Sequence, residues 1–221
     1  MFTPSTLAMY AILGIGLLFA VPVLAKGFMR RGTGTKYEKN FLIQRAPQLV
    51  SVFTIFLIAF SVFAYNGFFK SIPALVPFIV LTDGVNGTGA LATAATIVSW
   101  IGNVILLSGL IFMIGGWYSL GEMFSTDAEV MEDHKVKDTG LLAFVMHPAY
   151  SGIIQSLLGA SLASTSIFCA LFTVLMVAPL WLRRAKYEEQ MLLEALGEPY
   201  KQYAENMGWR RLVPKFIPIG V

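Results

Sequence analysis

Two short segments carry the side chains best suited to chemistry: Met146-His147-Pro148-Ala149-Tyr150-Ser151-Gly152 and Arg184-Ala185-Lys186-Tyr187-Glu188-Glu189. They bracket a pair of apolar runs, and ionisable groups beside a bilayer are costly enough to mark function. An imidazole, with an unperturbed pKa of about 6.5, can donate, accept or receive an anion. Pro148 suits the first turn of a helix, where its missing N–H has no intrahelical partner to lose, so His147 falls at the mouth of a span. A hydrogen bond within the protein at the helix start accounts for His147 equally well. Glu188 and Glu189 are adjacent, so on a helix they diverge by about 100° and cannot work as one facing acid and base pair. One can face a ligand while the other holds the scaffold. Arg184 stands four residues before Glu188, the spacing of an ordinary ion pair on a solvated helix face, and that reading stays open.

Other chemistries find little support. His134 and His147 are 13 residues apart and neither sits in a dense Cys, His and acidic set, so no metal is expected. Asp127, Glu129, Glu132 and Asp133 read as a solvated acidic loop. The glycine-rich stretches have neither a Walker lysine nor a Rossmann spacing, which disfavours a standard soluble nucleotide fold. Cys169 is the sole cysteine, so no intramolecular disulfide can form, and its apolar setting reads as a small buried hydrophobe. The net charge of +3 does not point to nucleic acid, because the basic residues gather in clusters that flank apolar spans.

Membrane helices must therefore position these groups. The 221 residues are 56% hydrophobic and 13% charged, with a mean hydropathy of +0.69, far from the roughly 25% charged content of a soluble domain. The expectation is an all-α, polytopic bundle of about five transmembrane helices with a C-terminal helical hairpin and an amphipathic cytoplasmic helix. It forms one membrane domain over 1–221, with three spans in 1–117 and the chemistry-bearing half in 118–221. Spans are expected from about Ser5 to Ala25, Leu49 to Tyr65 and Leu91 to Trp117. A hairpin follows, Tyr150 to Ala163 and Ile167 to Leu182, broken at Ser164-Thr165-Ser166. The first 25 residues contain no Lys or Arg, unlike a secretory signal, so the first span is read as retained. Ile72 to Leu81 is short, carries Pro73 and Pro77, and reads as re-entrant or interfacial.

Lys26 to Arg45 holds six basic residues, Asn66 to Gly89 only Lys70, and the tail after Leu182 seven. The positive-inside rule then puts the first loop, third loop and C-terminus in the cytoplasm and the N-terminus outside. The membrane would be a prokaryotic inner membrane or the endoplasmic reticulum. Beyond Leu182, apolar Met191, Leu192, Ala195 and Leu196 keep helical spacing until Gly197 and Pro199 stop the helix.

Five motifs occur in order: His134-Lys135-Val136-Lys137-Asp138-Thr139-Gly140; Met146 to Gly152; Arg184 to Glu189; Leu196-Gly197-Glu198-Pro199-Tyr200-Lys201-Gln202-Tyr203; and Arg211-Leu212-Val213-Pro214. This series resembles the superfamily of membrane-embedded methyltransferases that contains isoprenylcysteine carboxyl methyltransferases and phospholipid N-methyltransferases. The resemblance covers about Trp117 to Pro214. It implies S-adenosylmethionine as cofactor, held by His134, Lys135, Val136, Gly140, Leu142, His147, Pro148, Tyr150, Gly152, Glu188 and Glu189. Arg184 and Glu188 are the implied catalytic residues, Arg184 orienting a carboxylate acceptor or Glu188 assisting proton loss from an amine or thiol. The partners are the bilayer and a lipophilic methyl acceptor that arrives sideways through it, with no nucleic acid and no metal. The small Gly140 and Gly152 would allow close backbone approach. The pattern's usual arginine before the histidine is Met146 here, and Leu142, Ala143 and Phe144 replace its aromatic and arginine residues, so acceptor choice is expected to differ. Two other readings are a membrane reductase of the sterol reductase type, which binds NADPH and would want an arginine cluster for the 2′-phosphate, and a non-enzymatic ligand-binding protein on the same scaffold.

Overall fold

In the computed structural model, residues 3–34, 36–37, 40–63, 90–132 and 134–214 are described. Apolar composition and local capping define the helices. Thr3 caps α1 (Pro4–Met29) by accepting from the Thr6 N–H, and Lys26 lies in its last turn, where a cation complements the helix dipole. Asn40 caps the one-turn α2 (Phe41–Gln44), which runs directly into α3 (Ala46–Phe63). α4 (Ala90–Leu120) is the longest helix. The hairpin consists of α5 (Pro148–Ala163), α6 (Ile167–Phe172), a π-helical turn at Thr173–Val177, and α7 (Ala178–Leu196). α8 (Glu198–Asn206) follows after Gly197, whose φ of +62° favours glycine at that stop. The expected helical bundle is observed, with span limits that differ from the sequence reading by a few residues.

Three continuous helices, Pro4–Met29, Ala92–Met123 and Ile167–Leu196, are long and apolar enough to cross a membrane, and Ala46–Val62 is a shorter apolar helix. Their outward faces expose Leu18, Phe56, Val104 and Leu175, as expected where the surrounding solvent is lipid. Among the described residues, 3–25, 46–63, 90–120 and 148–182 contain no Asp, Glu, Lys or Arg.

α4 and α5 pack backbone against backbone. A Cβ on Gly102 would lie 2.2 Å from the Ala163 N, one on Gly109 2.4 Å from the Ser156 N, and one on Gly152 2.1 Å from the Met113 N. Lipid tails give helices no hydrophobic reason to associate, so backbones in contact through small residues supply the van der Waals packing instead. Ser99 donates to the Ala163 carbonyl at 2.6 Å across the same seam.

Contacts along the helices give their directions. Gly16 meets Leu110 and Gly27 meets Phe124, so α1 and α4 run parallel. α5 returns antiparallel to α4. α3 runs antiparallel to α6 and α7, with Ser61 3.3 Å from Ser166 and Ser51 accepting from the Trp181 indole at 2.9 Å. The end of α3 and the start of α4 thus meet the same α5–α6 turn. That turn is the expected polar break: Ser166 caps α6 by accepting from the Cys169 N–H, and Cys169 is fully buried as anticipated. Ile72–Leu81, expected to be re-entrant or interfacial, lies outside the described residues.

The acidic loop departs from expectation. Asp127 and Glu129 are buried, not solvated. Asp127 pairs with Arg45 at 2.6 Å and Arg31 at 3.0 Å. Glu129 accepts from the backbone N–H groups of Gly32 and Gly34 at 3.1 and 2.9 Å and from the Ser125 hydroxyl. A two-residue antiparallel pairing of β1 (Lys36–Tyr37) with β2 (Glu129–Val130) completes this junction. The partners come from the first connection, about a hundred residues away in sequence, which composition alone does not disclose. Glu132 is exposed, as predicted; Asp133 lies outside the described residues.

Candidate active site

The charge-bearing end of α7 meets the first turn of α5, and there the two adjacent glutamates part company. Glu189 faces one way and is 4% exposed. Its Oε1 lies 3.2 Å from His147 Nε2, and its Oε2 accepts from Arg211 Nε at 3.0 Å. Glu188 turns to the other side, where it accepts from the Tyr150 hydroxyl and from Arg184 Nε, the latter at 3.0 Å. The divergence expected of neighbours on a helix is therefore realised, with Glu189 as scaffold and Glu188 the more open of the two.

The open choice at Arg184 is also resolved. The ion pair with Glu188 exists, but the face is not solvated: Arg184 is 2% exposed. Each of its three side-chain nitrogens donates. Nε reaches Tyr150 and Glu188, NH1 the Gln44 carbonyl at 3.2 Å, and NH2 the Thr126 carbonyl at 3.0 Å. Its guanidinium also lies over the rings of Tyr150 and Trp181, 5.6 and 5.4 Å from their centroids. His147, Tyr150 and Trp181 form a continuous aromatic row, with ring centroids 5.4 and 4.6 Å apart. Such a network, with its charges paired and hydrogen-bonded, is what allows an arginine to remain buried.

The remaining predicted residues take several places. His134 is half-buried, and burial pushes its imidazole below the ordinary value while the Glu188 charge pulls it up. His134 Nδ1 is buried with no partner among the described residues. Lys135 is exposed, and Val136 packs against a cluster of Met146, Tyr200, Tyr203 and Met207. Gly140 has φ +64° and a Cβ there would meet the Ser119 hydroxyl. Leu142 is buried and its carbonyl accepts from the Tyr203 hydroxyl at 2.8 Å; burial, and to a smaller extent Asp138, raise the pKa of that phenol. Pro148 occupies the first turn of α5. The close approach anticipated at Gly152 is to α4, which by itself accounts for the glycine.

Several residues at the site were not singled out as site residues from the sequence. The C-terminal segment caps the hairpin: the Met146 and His147 N–H groups donate to the carbonyls of Arg210 and Arg211, both at 2.9 Å, and Ser151 donates to the Leu212 carbonyl at 2.5 Å. Arg211 had a visible signal in the last of the five motifs. Gln44, Thr126 and Trp181 had none. Met146, where the pattern has arginine, is 4% exposed and apolar in its contacts.

No group of three or more His, Cys, Asp or Glu capable of holding a metal occurs among the described residues.

Residues 100–194 match the model of the isoprenylcysteine carboxyl methyltransferase family. The chain is also similar to the protein-S-isoprenylcysteine O-methyltransferase of Schizosaccharomyces pombe, with 27% identity over 132 residues, 56% of this chain and 53% of the relative. The chain thus spans about half the length of that curated relative. The matched stretch contains α5, most of α7 and the loop between α4 and α5, and it includes His147, Tyr150, Arg184, Glu188 and Glu189. Over these stretches, which include the ordered motifs, the chain is similar to the isoprenylcysteine carboxyl methyltransferase family of membrane proteins.

Proposed function

We propose that this chain is an integral membrane methyltransferase that uses S-adenosylmethionine to methylate a lipophilic acceptor. The observation that carries the reading is Glu188, a carboxylate fixed by Tyr150 and Arg184 yet more open than its neighbour Glu189, with His134 Nδ1 buried and without a partner among the described residues. A buried polar atom without a partner is expensive, and here it supplies hydrogen-bonding capacity suited to the ribose, amino and carboxylate groups of that cofactor. The residues fit the group: His134 and Glu188 offer direct contacts, while His147 and Glu189 hold the wall. When bound, S-adenosylmethionine supplies a methyl group already activated by a sulfonium.

The protein's part is alignment. Tyr150 and Arg184 fix the Glu188 carboxylate from two sides, and Trp181 closes the apolar flank. Arg184 is best read as a positioning residue, because all three of its nitrogens are engaged with the protein. Glu188 is the candidate to meet the reacting partners. A carboxylate acceptor would need no base, whereas an amine or thiol would use Glu188 to take its proton. Exposed apolar helix faces lead to this rim, so an acceptor with a long hydrocarbon part can approach within the bilayer.

Detergent-purified protein should gain thermal stability with S-adenosylhomocysteine and not with NADPH, since only a ligand of the native state raises apparent stability. Stabilisation by NADPH alone would favour a reductase, and no response to either would favour a non-enzymatic role. Mass spectrometry of membrane lipids after overexpression should reveal products heavier by one methyl group. Methylation unchanged in both Glu188→Gln and Arg184→Leu would remove these residues from the mechanism.

A further inference from the structure

Three consecutive loop residues, Thr126, Asp127 and Ala128, are gripped by three side chains of the α2–α3 junction. Gln44 Oε1 accepts from the Ala128 N–H at 2.8 Å. Arg45 binds both oxygens of Asp127, at 2.6 and 3.2 Å. Gln48 Nε2 donates to the Thr126 carbonyl at 2.5 Å. The same Thr126 carbonyl and the Gln44 carbonyl are the two acceptors for the terminal nitrogens of Arg184. The loop and α2 therefore form a socket around the guanidinium, and its width is set by Gln44, Arg45 and Gln48. None of the three lies within residues 100–194.

We infer that Gln44, Arg45 and Gln48 are positioning residues for methyl transfer, a clamp from the first connection that sets the placement of Arg184 and, through it, of Tyr150 and Glu188. The inference rests on the methyltransferase reading for its consequence in catalysis, but not for its geometry. Gln44 is 2% exposed and Ala128 1% exposed. Removing the Gln44 side-chain oxygen would leave a buried N–H without an acceptor and release the loop that carries the Thr126 carbonyl. Displacements of about 1 Å at a reacting centre reduce rates on the order of a hundredfold. Arg184 and Tyr150 hold Glu188, which also faces the cofactor, so loosening the socket should lower turnover and, to a smaller extent, cofactor affinity.

The test uses Gln44→Met and Gln48→Met, each of similar size and each removing one hold, so that one remains informative if the other does not fold. Trp181 lies under the Arg184 guanidinium and reports its placement without any ligand; its emission is isolated by subtraction in a Trp181→Phe background. Expected are a shift in Trp181 emission, a kcat lower by on the order of tenfold to a hundredfold, and a loss of S-adenosylhomocysteine affinity clearly smaller than the loss in kcat. Unchanged emission and unchanged kcat in the folded variants would overturn the clamp, as would a fall in kcat matched by an equal loss of S-adenosylhomocysteine affinity. Absence of methylation by the parent protein, with the emission shift still present, would defeat the methyltransferase reading and leave the clamp standing.

Discussion

At the scale of single residues, Glu189 carries the strongest structural prediction. It is buried and shared between His147 and Arg211, and through Arg211 it fixes the C-terminal segment that caps α5. Hydrogen bonds to charged groups contribute about 1.5–3 kcal/mol. Glu189→Gln should therefore lower stability by about 2 kcal/mol and make the chain near Arg210 and Arg211 more sensitive to trypsin. Unfolding in detergent and limited proteolysis check both effects; parent-like behaviour in each would mean the tail is held by its backbone bonds alone. A second prediction concerns His134, whose imidazole is held below its ordinary value chiefly by burial, with Glu188 opposing. The folded protein then binds fewer protons than the unfolded chain between the folded pKa and about 6.5. Stability is accordingly complete above about 6.5, declines as pH falls towards the folded value, and levels off below it. Apparent unfolding temperatures measured from neutral to mildly acidic pH should show this slope in the parent and a flatter one in His134→Gln, and identical slopes would contradict the assignment.

At the scale of elements, the α4–α5 seam makes a prediction of opposite character, because it depends on what is missing. Gly152 admits the Met113 backbone where a Cβ would stand 2.1 Å away, whereas Gly14 has nothing within 4 Å. Gly152→Ala must push two packed backbones apart and should cost about 1–3 kcal/mol or more, while Gly14→Ala should be close to neutral. Comparing their melting temperatures in one detergent tests the contrast, and equal effects would show that the seam is not tightly packed in the membrane protein. Elements of this kind were largely legible beforehand. Hydropathy is a local property, so the spans, the Ser164–Ser166 turn and the Gly197 stop followed from short stretches of sequence. The pairing of Glu188 with Arg184 followed from helical spacing. Burial of that pair did not, because it depends on carbonyls from Gln44 and Thr126, which lie 140 and 58 residues from Arg184 along the chain. The same distance in sequence hid the partners of Asp127 and Glu129. Gly152 was read as room for a cofactor, and the sequence offered no way to see α4 on its other side.

At the scale of the whole molecule, the distribution of charge poses the question of orientation. Among the described residues, every Lys and Arg lies beyond the apolar helix bodies, at the end where Gly27 meets Phe124, Arg31 meets Asp127 and α7 meets the capping tail. The opposite end gathers the start of α1, the end of α3, the start of α4 and the α5–α6 turn, where Asn103 donates to the Ser5 carbonyl and Ser99 to that of Ala163. Positive charge is retained on the cytoplasmic side. The candidate site should then open to the cytoplasm, where a soluble charged cofactor is available, with the N-terminus of α1 on the outer side. Cys169 is buried beside Ser61 and Ser166, and Cys169→Ser gives a cysteine-free background without placing a large polar group there. In that background, Ala90→Cys and Glu198→Cys put single thiols at opposite ends on exposed positions. A membrane-impermeant maleimide applied to sealed right-side-out vesicles should label position 90 directly and position 198 only after permeabilisation. The reverse pattern would turn the protein over and require the cofactor to be supplied from outside. Labelling of both positions in sealed vesicles would instead mean that the helices do not place these two ends on opposite sides of the bilayer.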